Sequence, residues 1–149
     1  MKLLLIAPCQ MVVQDPDSGQ SLIAVFHEIK IRIGDTSEVP SNALIPKDWT
    51  VFTKFALEPE EEGKDYVLNT RIFWPDGSPF VDQSLTANQP TKNALVFTIR
   101  MQGFPIGQSG MIKIRQTLTS GGIEVCEQIE VEVRVVLEKA LASEMATSQ

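Results

Sequence analysis

The chain carries one histidine, His27, and two cysteines, Cys9 and Cys126. A thiol or hydroxyl becomes a useful nucleophile when a neighbouring base takes its proton. Such chemistry would have to bring Cys9, Cys126 or a serine beside His27, and a hairpin of the first two strands could bring Cys9 near it. The surrounding sequence argues against this. There is no G-x-S-x-G elbow, and His27 falls on the buried parity of a strand. A polar residue there is ordinarily held by a backbone carbonyl or marks a bulge. One histidine leaves no His-rich metal site, and neither cysteine sits in a metal-type CxxC pair. The expectation is a protein that is not an enzyme and holds no cofactor or resident metal.

Carboxylates and aromatics offer the other chemistries. Asp15, Asp17, Asp76 and Asp82 lie in or near turns. Calcium-binding sandwiches recruit loop aspartates because the ion takes six to eight hard oxygens, yet turn aspartates also hydrogen-bond their own backbone. Tyr66, Leu68, Ile72 and Trp74 share one strand parity, as a sugar platform would, but large aromatics more often fill a core. The run Glu58, Glu60, Glu61 and Glu62 reads as a solvated turn. Met11, Met101 and Met111 are unclustered and read as core filler rather than copper ligands.

These residues must be positioned by strands. In "SLIAVFHEIKIRI", residues 21–33, Ile23, Val25, Ile29, Ile31 and Ile33 alternate with polar neighbours, the period-two signature of a half-buried strand. Further strands are expected over residues 3–13, 50–58, 65–74, 80–87, 93–101, 111–118 and 123–136, with "PDGS" and "TSGG" as tight turns. That makes about eight strands and no internal helix, an all-β antiparallel sandwich over residues 1–137. Residues 138–149 form a tail, a short frayed helix or a disordered end, with Leu137, Leu141 and Met145 at four-residue spacing. In the last strand Glu124, Cys126, Glu130 and Glu132 take the outer face and Val125, Val131, Val133 and Val135 the inner. Cys9 shares parity with Leu3, Leu5, Ala7 and Met11 and should point inward, so a Cys9–Cys126 bridge is not expected.

Composition narrows the partners. Hydrophobic residues make up 43% of the 149 and charged residues 21%, in the range of a folded soluble domain. With 13 basic residues and net charge −6, phosphate backbones and anionic lipid would be repelled, which argues against nucleic acid and membrane as partners. The opening "MKLLLIAPCQMVV" has an apolar core of only five residues, Leu3–Ala7, too short for a secretory signal. Pro8 is also a poor residue before a lipoprotein-type cleavage. Leu3 to Val13 is therefore expected to be the first strand, interrupted at Pro8, with Pro8 at an edge or bulge. Two free thiols would fit a reducing cytoplasm.

Four stretches carry a resemblance. They are Cys9-Gln10-Met11-Val12-Val13, the turn from Asp15 through Gly19-Gln20 into Leu22-Ile23-Ala24-Val25-Phe26, the turn Trp74-Pro75-Asp76-Gly77, and Ile129-Glu130-Val131-Glu132-Val133. In these the chain resembles a group of small bacterial domains of unknown function with an immunoglobulin-like or C2-like sandwich, over most of residues 6–136. In that group an Asp commonly follows the cysteine and a Gly commonly precedes the Ile/Val-Phe pair. Gln10 and Ala24 stand at those places here. The resemblance implies the fold and supplies no catalytic residues.

The functional expectation is a non-catalytic sandwich acting through protein contacts, as a homo-oligomer or as a subunit of a larger assembly. Two surfaces are candidates. Phe104, Pro105 and Ile106 form an apolar tip in the loop of residues 102–110. Glu124, Glu130 and Glu132 on the last strand would favour a basic partner. The alternative is a small-ligand module binding carbohydrate or calcium through loops and aromatics.

Overall fold

Two sheets absorb the alternating strands. The computed structural model describes residues 1–14, 19–34, 38–87 and 93–139. Among these described residues ten strands follow in chain order: β1 (Lys2–Gln14), β2 (Gln20–Val25), β3 (Glu28–Ile33), β4 (Leu44–Ala56), β5 (Tyr66–Phe73), β6 (Pro79–Ala87), β7 (Ala94–Pro105), β8 (Gly110–Ser120), β9 (Ile123–Glu124) and β10 (Ile129–Lys139). One sheet has the order β2-β1-β4-β7. The other has β3-β10-β8-β5-β6, with the short β9 appended to β8. Every pairing is antiparallel except β3 with β10, which run parallel. The protein is thus a β-sandwich, as its periodicity indicates, with one mixed sheet. Asp15, Asp17, Leu141 and Met145 lie outside the described residues, as does the tail from residue 140.

The core lies between the sheets. Trp49, Val51 and Phe55 of β4 and Phe97 and Ile99 of β7 meet Leu68 and Ile72 of β5, Ile112, Ile114 and Leu118 of β8, and Val133 and Val135 of β10. Tyr66 is buried with them and Trp74 is buried against Phe80, ring centroids 5.4 Å apart, so the shared parity of residues 66–74 marks buried positions. A polar bridge crosses this apolar layer. Thr53 Oγ1 donates to Gln116 Oε1 at 2.8 Å, and Gln116 Nε2 donates to Thr70 Oγ1 at 3.1 Å. All three side chains are sealed from solvent, and each supplies a partner that burial would otherwise deny the others.

Two expected strands are each divided. The period of residues 21–33 runs on in phase, but the chain leaves one sheet and joins the other at Phe26–His27. There the Phe26 N–H donates to Pro8 O and the Arg134 N–H donates to His27 O. Phe26 turns inward against Trp49 and Phe104, with ring centroids at 6.1 and 5.7 Å. His27 is exposed, which corrects its placement on the buried parity: Phe26 takes the inner position at the crossing. Pro8 also differs from expectation, since β1 lies inside its sheet between β2 and β4. Its carbonyl faces the point where β2 ends, so the N–H that proline lacks has no ladder partner to lose.

Residues 123–136 are divided at the bend after β9. Gly121 and Gly122, both at positive φ, make the turn from β8. Ile123 is 70% exposed, while Cys126 packs against the core. The expected parity, with Cys126 outside, therefore inverts at the bend.

Candidate interaction surface

The first strands are unusual in composition. From Leu3 to Gln14 and from Gln20 to Val25 no residue is charged, on a chain in which 21% of residues are. Register decides which face each side chain takes. Thr53 reaches Gln116 across the interior, so Trp49, Val51, Thr53 and Phe55 face the second sheet. Thr50, Phe52 and Lys54 then face outward. Opposite these on β1 lie Cys9, Ala7 and Leu5, and on β7 lie Arg100, Thr98 and Val96. Cys9 in turn pairs with Val25, Met11 with Ile23 and Val13 with Ser21. The outer face of the four-stranded sheet is therefore apolar along β1 and β2. This corrects the expectation that Leu5, Ala7, Cys9 and Met11 face the core.

Burial on this face is deep at its centre. Trp49, Thr50, Val51, Phe52 and Thr53 are five successive buried residues of β4, where a strand with one wet face would alternate. Phe52 is 2% exposed and Cys9 0%, and Ala7 is buried beside them. None of the three belongs to the core between the sheets. Burial also pushes the Cys9 thiol pKa up. Around this floor Leu5, Met11, Val13, Ile23 and Val25 are 38–58% exposed.

Beyond the pair Cys9–Thr50, β1 leaves β4 and continues with β2 alone as a two-stranded arm. A groove of about 450 Å³ opens at the fork, lined by Gln10, Met11 and Val12 on one side and Asp48, Arg100 and Gln102 on the other.

The surfaces expected from sequence are arranged differently. Phe104 is 0% exposed, and Pro105 and Ile106 are also buried. The stretch is not a loop tip: β7 continues through it, pairing Phe104 with Ile45 and Pro105 with Leu44 past a bulge in β4. Phe104 packs on Trp49 at 5.0 Å, and the Trp49 indole N–H donates to Gly103 O. Glu124, Glu130 and Glu132 are exposed as expected, but they do not make an acidic face. Register sets Glu130 against Arg115 and Glu132 against Lys113. Arg115 pairs with Glu130 at 3.1 Å and lies 4.9 Å from the Phe73 ring centre. Glu124 sits apart on β9, at a polar groove of about 380 Å³ shared with Asn69, Arg71, Arg115, Thr117 and Gln128.

The remaining chemistry-bearing residues are engaged or dispersed. Asp76 accepts from the Ser78 N–H and hydroxyl and from Gln108 Nε2, and these bonds lower its pKa. Asp82 accepts from Asn69 and pairs with Arg71 at 3.6 Å. Among the described residues no three His, Cys, Asp or Glu side chains gather in a group that could hold a metal ion. No helix among them is long and apolar enough to cross a membrane. Cys9 and Cys126 are free thiols. Comparison with family models, with curated proteins and with solved structures gave no match for this chain.

Proposed function

We propose that this protein is a non-catalytic β-sandwich that acts through protein contacts, as a homo-oligomer or as a subunit of a larger assembly. The observation that carries this reading is the outer face of the four-stranded sheet. There a buried floor of Phe52, Cys9 and Ala7 is ringed by five exposed apolar side chains. Exposed apolar patches of this kind mark contact surfaces.

Other features support it. Cys9 is sealed from solvent and its thiol pKa is raised, the reverse of the exposed thiolate that nucleophilic catalysis uses. The small-ligand alternative has less support, since Tyr66 and Trp74 are buried and Asp76 is occupied by Ser78 and Gln108. Two free cysteines and the resemblance to bacterial domains favour a reducing bacterial cytoplasm as the compartment. Net charge −6 disfavours nucleic acid and anionic membrane as partners.

The test is Met11→Lys, a charge placed in the exposed ring. Expected is loss of the native assembly, read by light scattering and native pull-down, with circular dichroism unchanged. A wild-type chain that is a monodisperse monomer and retains no partner overturns the reading.

A further inference from the structure

Resting on that reading, we infer that the partner at this face is a second copy of the chain, related by a twofold axis that sets one β1–β2 face against the other. Charge is the first argument. Two copies at net charge −6 repel each other, and they can meet only where the surface carries little acid. β1 and β2 offer that surface, with no charge over Leu3–Gln14 and Gln20–Val25. Of the other edge strands, β3 carries Glu28, Lys30 and Arg32, β6 carries Pro79 and Asp82, and β7 carries Arg100. Those are devices that keep strands from associating.

The rim gives the second argument. On the same face β4 and β7 place Asp48, Lys54 and Arg100, none of them in an ion pair among the described residues. A rim with both signs is self-complementary. In an isologous contact each residue meets a different residue of the same patch, so Asp48 of one copy can lie against the basic pair of the other.

Area is the third. Five side chains exposed by 38–58% present roughly 400 Å² of apolar surface, about half of the ~800 Å² per partner in a standard interface. Thr98 and the rim of Asp48, Lys54 and Arg100 supply the polar remainder. Leu5, Met11, Val13, Ile23 and Val25 then become the interior of a contact between two four-stranded sheets. Phe52 and Cys9 lie beneath them.

Sedimentation of the full chain over a concentration series tests this, with Ile23→Asp and Met11→Lys made separately. Wild type should be a dimer and each variant a monomer with unchanged circular dichroism, melting at the temperature of wild type diluted until it dissociates. Mixing the two variants should restore a one-to-one dimer, because opposite charges then meet across the interface. A wild-type monomer at every concentration overturns the second copy as occupant. If that monomer still retains another protein in a native pull-down and Ile23→Asp releases it, the contact face stands and its partner is a different chain. If neither dimer nor retained protein is found, both inferences fall together. A wild-type dimer that both variants leave intact also overturns the proposal, since the chain then pairs through another surface.

Discussion

Thr53 donates a 2.8 Å hydrogen bond to Gln116 across the apolar interior, tying β4 of one sheet to β8 of the other. The pair also fixes orientation, since it settles which residues of β4 look inward and hence which face of the sheet is left outside.

Removing that amide should be costly. Gln116→Ala leaves the Thr53 and Thr70 hydroxyls buried without this partner, and each buried polar group left unsatisfied costs about 1–3 kcal/mol. A loss of about 2–5 kcal/mol is expected from urea denaturation, with no change in secondary structure. Thr53→Val and Gln116→Leu combined should cost less than Gln116→Ala alone.

Ala24 should be improvable. It sits at φ 54, where an L-residue with a Cβ is strained by about 1–2 kcal/mol and glycine is not. Glycine gives back roughly 0.5–1 kcal/mol through the greater freedom of its unfolded chain. Ala24→Gly is expected to raise stability by up to about 1 kcal/mol, read as a higher denaturation midpoint at constant slope.

Acid should loosen one end of the sandwich. The Asp76 pKa is lowered chiefly by the Ser78 hydroxyl, then by the Ser78 N–H and Gln108. A carboxyl whose folded value lies below its unfolded value, about 3.9, contributes its stabilisation above the unfolded value and loses it as pH falls through the folded one. The melting temperature of wild type should therefore fall on acidification below about pH 4 by more than that of Asp76→Asn. Gln108 also donates to Ser41 O, so the loss should show first in amide exchange around Ser41, Ser78 and Gln108.

The two thiols should react differently. Cys9 is fully buried and Cys126 only half so, and both have raised pKa values with burial as the main cause. Alkylation followed by mass spectrometry should label Cys126 in the native protein and Cys9 only as fast as the chain opens. Equal labelling rates would contradict the packing of Ala7, Cys9 and Phe52.

Much of the fold is legible in the residues because period two survives in most strands. The alternations of Leu95, Phe97 and Ile99, and of Ile112 and Ile114, each place their inner side chains correctly. Where that signal misleads, the cause is physical. Residues 21–33 keep their phase while changing sheets, and no glycine or proline marks the crossing. Phe104 stands among glycines and a proline, as in a loop, yet β4 extends back to Leu44 and pairs with it. The candidate face was the least readable. On β1 the parity of Leu5, Ala7, Cys9 and Met11 is wholly apolar and reads as inner, yet the cross-core bond of Thr53 and the strand register set it outside.

The parallel pairing of β3 with β10 has a temporal consequence. Glu28 and Arg134 are register partners separated by more than a hundred residues, and contacts at such separation form slowly because so much chain must be ordered first. During synthesis β3 has no β10 to pair with until residues 129–139 have emerged. The hairpin of β1 and β2 meanwhile has its apolar side chains open to other nascent chains.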